Sequence, residues 1–334
     1  MSTIDVIDNV TDFTALAEEW EQLLERTAGV TPFHLPAWQF TWWRHFGSGR
    51  LRVFVFREGG RMTGITPCFL HDWNGRRQLT LIGSGISDYL EPAIEREHAH
   101  AAIELLKEDL QSREEWDVCD WQDLDADSPL AALSGNRLHV EIREDQPCSR
   151  IPLTGMFRDF WHARGKDLRR NVRRYGLRAE EMGTVEFDVV QKPDPELLRS
   201  LIELHEARWE ARGEPGMIAV NQAAEFLCDV TRQLAPAGLP RIFIVRFRKE
   251  IAALNLAFLF RNTIFSYLSA FDPKQEYFGF GRMLLREAIQ YCYAHQVTSW
   301  NFLRGDEPYK FSWGAQAVPK LRVYVRRFEQ EGRS

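Results

Sequence analysis

At 334 residues the chain is long enough to bury a large apolar core, and its length favours about two domains over one. Hydrophobic content of 44%, with 12% aromatic and 27% charged residues, excludes a disordered chain, and a net charge of -6 does not fit a protein built to coat a polyanion. The five cysteines (Cys68, Cys119, Cys148, Cys228, Cys292) are widely spaced and form no C-x-x-C pair, which excludes a disulfide scaffold and a zinc site and fits a reducing cytoplasm.

The start, MSTIDVIDNVTDF, has acids where an export signal carries basic residues ahead of an apolar run, so a cytoplasmic protein is expected. A strand over residues 4–7 leads into a helix capped by Asp12, running through FTALAEEWEQLLERT and ended by Gly29. A second helix, PAWQFTWWRHF, opens on Pro36, and its tryptophans read as packing. Strands follow over 51–57, 62–70 and 78–82, the first two joined by a Glu58-Gly59-Gly60 hairpin, then a helix over 98–111 and a strand over 117–121. The acids of DWQDLDAD (Asp120, Asp123, Asp125, Asp127) lack the glycine and final Glu of a calcium loop and read as solvated.

A boundary is expected near 145–155, giving one domain over 1–150 and another over 151–334. The second opens with a basic helix over 166–182, a strand over 185–190, a long helix PELLRSLIELHEARWEAR and a helix over 222–234. Strands over 241–248, 251–260 and 263–270 precede a glycine turn and its helix, and strands over 299–303 and 320–328 finish the chain. The run IAALNLAFLF from Ile251 is far shorter than the roughly 20 apolar residues a spanning helix needs and reads as a buried strand.

The turn is Gly279-Phe280-Gly281. A glycine-bearing loop that opens into a helix presents free N–H groups and the positive end of the helix dipole to one point, which makes a cradle for an anion. The plain alternative is a helix entry that needs a left-handed residue. In the basic helix over 166–182 the spacing puts Leu168, Val172, Tyr175, Ala179 and Met182 on one stripe and leaves Arg169, Arg170, Arg173 and Arg174 outside it. Arg170, Arg173 and Arg174 are candidates for phosphate recognition, against a solvated face paired with Glu180 and Glu181. His205, about one turn before Trp209, reads either as a packed core histidine or as part of a substrate site. LRGDEPYK gathers titratable groups after a strand. Asp306 or Glu307 could deprotonate an amine, Tyr309 could protonate a departing thiolate and Lys310 could hold an anion, the alternative being a loop clasp of salt bridges.

Counted back from the turn, EYFGFG resembles the Q/R-x-x-G-x-G/A pyrophosphate loop of GNAT-type N-acyltransferases. The stretches LRRNVRRYG, LHEARWEARG, FDPKQEYFGFGRMLLREAI and NFLRGDEPYKFSWG follow one another as in the CelD-like (BioF2-like) acetyltransferase family, related to the Fem-type aminoacyl transferases, and the second half resembles that family. The first half shows only the looser FHLPAWQFTWWRHFG and GITPCFL. The resemblance implies an α/β (α+β) fold of two tandem GNAT-like domains, each a mixed, largely antiparallel sheet flanked by helices. It implies acetyl-CoA or another acyl-CoA held by Gly279, Phe280, Gly281 and Arg282. It also implies acyl transfer to an amine or hydroxyl of a small-molecule acceptor such as a sugar or cell-envelope precursor, with no metal. Glu276 stands where the pattern carries Gln or Arg, so either its carboxylate turns away or the donor is not an ordinary CoA thioester. Two alternatives stand beside this one: Fem-like transfer from aminoacyl-tRNA, and a non-catalytic accessory protein of polysaccharide synthesis.

Overall fold

The computed structural model describes residues 1–219 and 222–327, save the side chain of residue 218. The chain divides into two compact units, Met1–Gln146 together with Pro319 onward, and Pro147–Val318. In order it forms β1 (Ser2–Ile7), α1 (Val10–Ala15), α2 (Ala17–Arg26), α3 (Pro36–Phe46), β2 (Arg50–Glu58), β3 (Arg61–Trp73), β4 (Arg76–Leu81), β5 (Ala93–Ile94), α4 (Ala99–Ser112) and β6 (Val118–Asp125). Strand β7 (Leu138–Pro152) carries the chain into the second unit. There it builds α5 (Phe157–His162), α6 (Lys166–Met182), β8 (Val185–Val190), α7 (Pro195–Glu210), α8 (Ala223–Leu234), β9 (Pro240–Phe247), β10 (Glu250–Phe260), β11 (Thr263–Phe271), α9 (Phe280–Ala294), β12 (Ser299–Arg304) and α10 (Pro308–Ser312). β13 (Gln316–Arg327) returns it to the first.

The two units repeat one plan. In the first, β2, β3 and β4 form an antiparallel meander, and α4 leads to β6, which lies parallel to β4. In the second, β9, β10 and β11 form the meander, and α9 leads to β12, parallel to β11. The other pairings, β1 with β2, β6 with β13, β7 with β12 and β8 with β9, are antiparallel. Each unit is thus a mixed, largely antiparallel sheet with helices on it.

Each helix follows from its pattern. Leu284, Ala288, Ile289 and Cys292 of α9 recur at helical spacing and are buried against Phe243, Val245 and Trp300 of the sheet. β10 is buried on both faces from Ala252 to Phe258, which explains its unbroken apolar run. Asn255, which interrupts that run, is buried and donates to Ser266 Oγ (2.9 Å) and Ser269 Oγ (2.6 Å) across the β10–β11 pair. Trp38 and Trp42 of α3 are buried.

Three expectations need correction. The helix expected from Asp12 is two helices broken at Leu16, and its cap is Asn9, whose side chain accepts from the Asp12 N–H at 2.9 Å. The final strand, expected to close the second half, pairs instead with β6 in the first unit from Lys320 to Arg326, while its expected end at Phe328 lies outside the described residues. The acids of DWQDLDAD, expected to be solvated, are so only at Asp127, which is exposed. Arg322 grips Asp120 with two bonds of 2.7 Å, Lys320 donates to Asp125 at 2.6 Å, and Asp123 is only 1% exposed.

Candidate functional site

β11 and β12 hold parallel register for three pairs, Thr263↔Ser299 to Phe265↔Asn301, and then part. Their outer neighbours keep them apart: β10 stays paired with β11 to Ala253↔Phe271, and β7 stays with β12 to Arg304↔Cys148. Both pairings shift register beside the fork, between Leu256 and Ala257 on β10 and between Asn301 and Leu303 on β12. At the second shift Leu303 adopts φ +64° and its N–H bonds to Asn301 Oδ1 at 2.8 Å. The result is a cleft opening at the C-terminal ends of two parallel strands, the place where open α/β sheets take ligands.

After Phe271 the chain turns at Asp272, whose side chain accepts from the Lys274 N–H at 2.9 Å, and a 3-10 turn over Pro273–Phe278 delivers it to Gly279 and α9. The N-terminus of α9 therefore stands at the open end of the cleft. Gly279 has φ +62°, and a Cβ there would lie 2.6 Å from the Tyr175 ring. Both the backbone angle and the close approach require glycine at this position. Gly281 differs: its φ is ordinary, and a Cβ would meet only Phe271 Cδ1, at 3.5 Å. Among the described residues no group accepts from the N–H of Phe280 or Gly281, while those of Arg282 and Met283 return to the Gly279 carbonyl at 3.0 and 3.3 Å. The Phe280 side chain is core, 2% exposed and packed on Phe247 and Phe278, so only its backbone faces the turn.

Helix α6 packs beside this turn. Val172 and Ala179 of its expected apolar stripe are buried, but Met182 is 54% exposed. Tyr175 lies under a group of guanidinium groups, with Arg174, Arg178 and Arg282 at 5.5, 5.9 and 5.7 Å from its ring centre. Arg282 also donates to the Tyr175 hydroxyl at 3.1 Å, and Arg178 donates to the Tyr277 carbonyl at 2.9 Å while covering its ring at 3.6 Å. Arg170 points elsewhere and pairs with Asp167 at 2.7 Å; Arg173 is exposed. Sequence reasoning missed Arg178, although its place next to Ala179 and one turn from Arg174 put it on the same side as the turn.

The GDEPYK segment separates into two parts. Lys310, expected to hold an anionic group, is 2% exposed and spends its three donors on the Arg304 carbonyl (2.7 Å), the Gly305 carbonyl (3.1 Å) and Glu307 Oε2 (2.8 Å). It closes the loop, and a ligand would have no donor left to use. Glu307 is correspondingly engaged. Asp306 is exposed. Tyr309, on α10, is half exposed with its ring edge-on to Phe302, yet loss of solvent around its hydroxyl, with Glu307 beside it, pushes it up to about 12.

On α7, His205 is 3% exposed. Its Nε2 accepts the Trp209 indole N–H at 2.9 Å, so the ring proton sits on Nδ1, which is buried without a partner among the described residues. Burial and the neighbouring Arg208 charge lower its pKa to about 4. Arg208, absent from the sequence-based candidates, covers the Phe271 ring at 4.5 Å and donates to the Ser269 carbonyl at 3.2 Å. The signal was present: Leu201, His205 and Arg208 share one helical stripe, and an arginine on a buried stripe asks for a partner.

Residues 166–311 match the family described as Acetyltransferase (GNAT) domain. Comparison with curated proteins gives no match. Among solved structures, the chain superposes on one titled as the crystal structure of FemX with a TM-score of 0.68, at 11% identity and covering 98% of both chains. A conserved protein of unknown function from Bacteroides thetaiotaomicron VPI-5482 gives 0.62 at 12% identity, covering 97% of this chain and 100% of that one. A tandem GNAT protein from the clavulanic acid biosynthesis pathway gives 0.54 at 10% identity, covering 99% and 100%. The fold is that of a tandem GNAT protein. At these identities the likeness is one of fold, and the meander–helix–parallel-strand plan seen in each unit is its physical content.

Proposed function

We propose that the second unit transfers an acyl group from an acyl-CoA, acetyl-CoA in the simplest case, to an amine or hydroxyl of a small-molecule acceptor. The observation that carries this reading is Gly281, a glycine in the first turn of a helix, at the mouth of a strand cleft, with no neighbour among the described residues that requires it. The GNAT match over 166–311 supports the reaction class, and the order of the four motifs supports the CelD-like branch. A reducing compartment such as the cytoplasm suits five free cysteines, and among the described residues no helix is long and apolar enough to cross a membrane.

The residues at the turn suit a diphosphate. Two N–H groups lack acceptors, Gly281 leaves room for close approach, and Arg174, Arg178 and Arg282 supply positive charge beside it. Glu276, which stands where the motif carries Gln or Arg, is exposed, so solvent screens its charge. Acyl-CoA, once bound, supplies an activated thioester carbonyl. The edge of β11 beyond Phe265, no longer paired with β12, offers N–H donors for the carbonyl oxygen. Tyr309 keeps its proton through the neutral range and can deliver it to the sulfur as the C–S bond breaks. Asp306 is left to take the proton of the attacking amine, since Glu307 is held by Lys310.

A second reading, aminoacyl transfer from aminoacyl-tRNA, draws on the full-length likeness to FemX and on the exposed arginines 170, 173 and 174 of α6. Calorimetric titration with acetyl-CoA, beside filter retention of a charged tRNA, separates the two. The proposal expects acetyl-CoA to bind with a constant of about 1 μM to 1 mM, and thiol release to begin when an amine panel is added. Retention of charged tRNA with no heat from acetyl-CoA would replace it with the second reading.

A further inference from the structure

Arg208 is a half-buried cation without an anion. Its Nε is enclosed and unpartnered, and among the described residues no carboxylate lies within ion-pair distance. Glu276 and Glu307 are near enough to be felt, but Glu307 is bonded to Lys310. Desolvation, with Arg212 close by, lowers the Arg208 pKa, and the Ser269 carbonyl and the Phe271 ring are neutral partners that leave its charge uncompensated. One helical turn earlier, the Nδ1–H of His205 is a second buried donor with no acceptor among the described residues. The two residues are neighbours, since the guanidinium charge depresses the imidazole.

Only the Phe271 ring lies between Arg208 and the glycine turn, since a Cβ at Gly281 would meet that same ring, but the two approach it from different helices. Phe243, Val245 and Phe247 of β9 pack with α6 and α9, whereas the alternating Ile242 and Ile244 are buried outside that cluster, as are Leu198 and Leu201 of α7. Helix α7 packs on β10 and β11 from this other face. Arg208 therefore reaches the β11 edge of the cleft, at Ser269 and Phe271, from the face opposite the one that carries Arg174, Arg178 and Arg282.

We propose that Arg208, with the Nδ1–H of His205, binds a carboxylate or phosphate carried by the acyl acceptor, so that the acceptor is an anionic molecule entering the cleft from the α7 face. The assignment of this anion to an acceptor rests on the transferase reading. The presence of an anion site does not.

The test uses the full chain labelled with 15N-histidine and titrated with inorganic phosphate, then with acetate, while the His205 Nδ1–H resonance is followed. A saturable shift is expected in the wild type. It should weaken at least ten-fold in Arg208→Gln and partially recover in Arg208→Lys, with cooperative melting of each variant confirming the fold. Absence of a saturable shift in the wild type, or an undiminished one in Arg208→Gln, overturns the proposal. Repeating the titration with CoA at saturation distinguishes the source. A shift that persists keeps the anion with the acceptor, whereas one that CoA abolishes gives the site to the donor and overturns the acceptor assignment. Failure of the protein to bind CoA would leave the first titration readable, so the two proposals fail separately.

Discussion

At position 279 an alanine would have to hold φ +62° with its Cβ 2.6 Å from the Tyr175 ring, whereas at 281 it would sit in an ordinary helical conformation with one contact at 3.5 Å. Gly279→Ala should therefore destabilise the protein by about 1–3 kcal/mol in urea unfolding, from backbone strain and displacement of Tyr175. Gly281→Ala should leave stability unchanged or slightly raised, since alanine is the better helix former. Equal losses for the two would mean that both glycines serve the fold. Tyr309 is a residue whose chemistry depends on keeping a proton. With its hydroxyl pushed up to about 12, it remains a donor across the neutral and mildly alkaline range. Tyr309→Phe preserves the ring contact with Phe302 and should lower turnover by about 10²-fold with little change in acyl-CoA affinity, because only the departing thiolate feels the missing hydroxyl. A loss of affinity with turnover spared would make Tyr309 a binding residue.

Among the elements, α6 and the β11–β12 fork set the character of the site. Helix α6 was legible as a basic amphipathic helix, and its buried residues, Val172 and Ala179, follow the expected stripe. What the spacing did not show is that Tyr175 leaves the core to support Arg174, Arg178 and Arg282, because that arrangement depends on the glycine turn packing against α6. Replacing Arg174 and Arg178 together by Gln should weaken acetyl-CoA binding by roughly 1–3 kcal/mol and flatten its salt dependence, while Arg170→Gln, whose residue is already paired with Asp167, should do neither. Titrations at two ionic strengths check this, and equal effects from the double and single variants would return α6 to a solvated face. The fork was illegible for a related reason. Three residue pairs of parallel register look, in sequence, like any two strands joined through a helix, and what parts them is the hold of β10 and β7 on their outer edges.

For the molecule as a whole, local patterns made most strands and helices readable, but pairing partners distant in sequence were not. β13 carries Lys320 and Arg322 to the acids of β6 across 195 and 202 positions, and no local signal at Asp120 or Asp125 announces it. The same first unit holds two buried titratable groups side by side. His34 accepts from the Thr31 N–H at 3.0 Å and bonds through Nε2 to the Glu91 carbonyl at 2.9 Å, and burial lowers its pKa to about 4. Burial raises the carboxyl of Glu91 to about 8. The stability His34 contributes is present above its ordinary value of 6.5 and is lost as pH falls through about 4. That of Glu91 is present below 4.5 and is lost as pH rises through about 8. Glu91→Gln should accordingly abolish a decline in unfolding free energy between pH 5 and 8, worth about 2–4 kcal/mol in the wild type. Parallel pH curves for the two proteins would show that Glu91 is ionised in the fold.

The central claim is that α9 opens on a cradle for the diphosphate of an acyl-CoA, and it meets its most direct test in calorimetric titration of acetyl-CoA into the wild type and into Gly281→Val. A Cβ at 281 meets only the edge of Phe271 among the described residues, so the variant should unfold cooperatively near the wild-type midpoint. The account predicts saturable heat from the wild type and none from that folded variant. Binding of equal strength in both would contradict it, because a side chain would then stand where the diphosphate must lie.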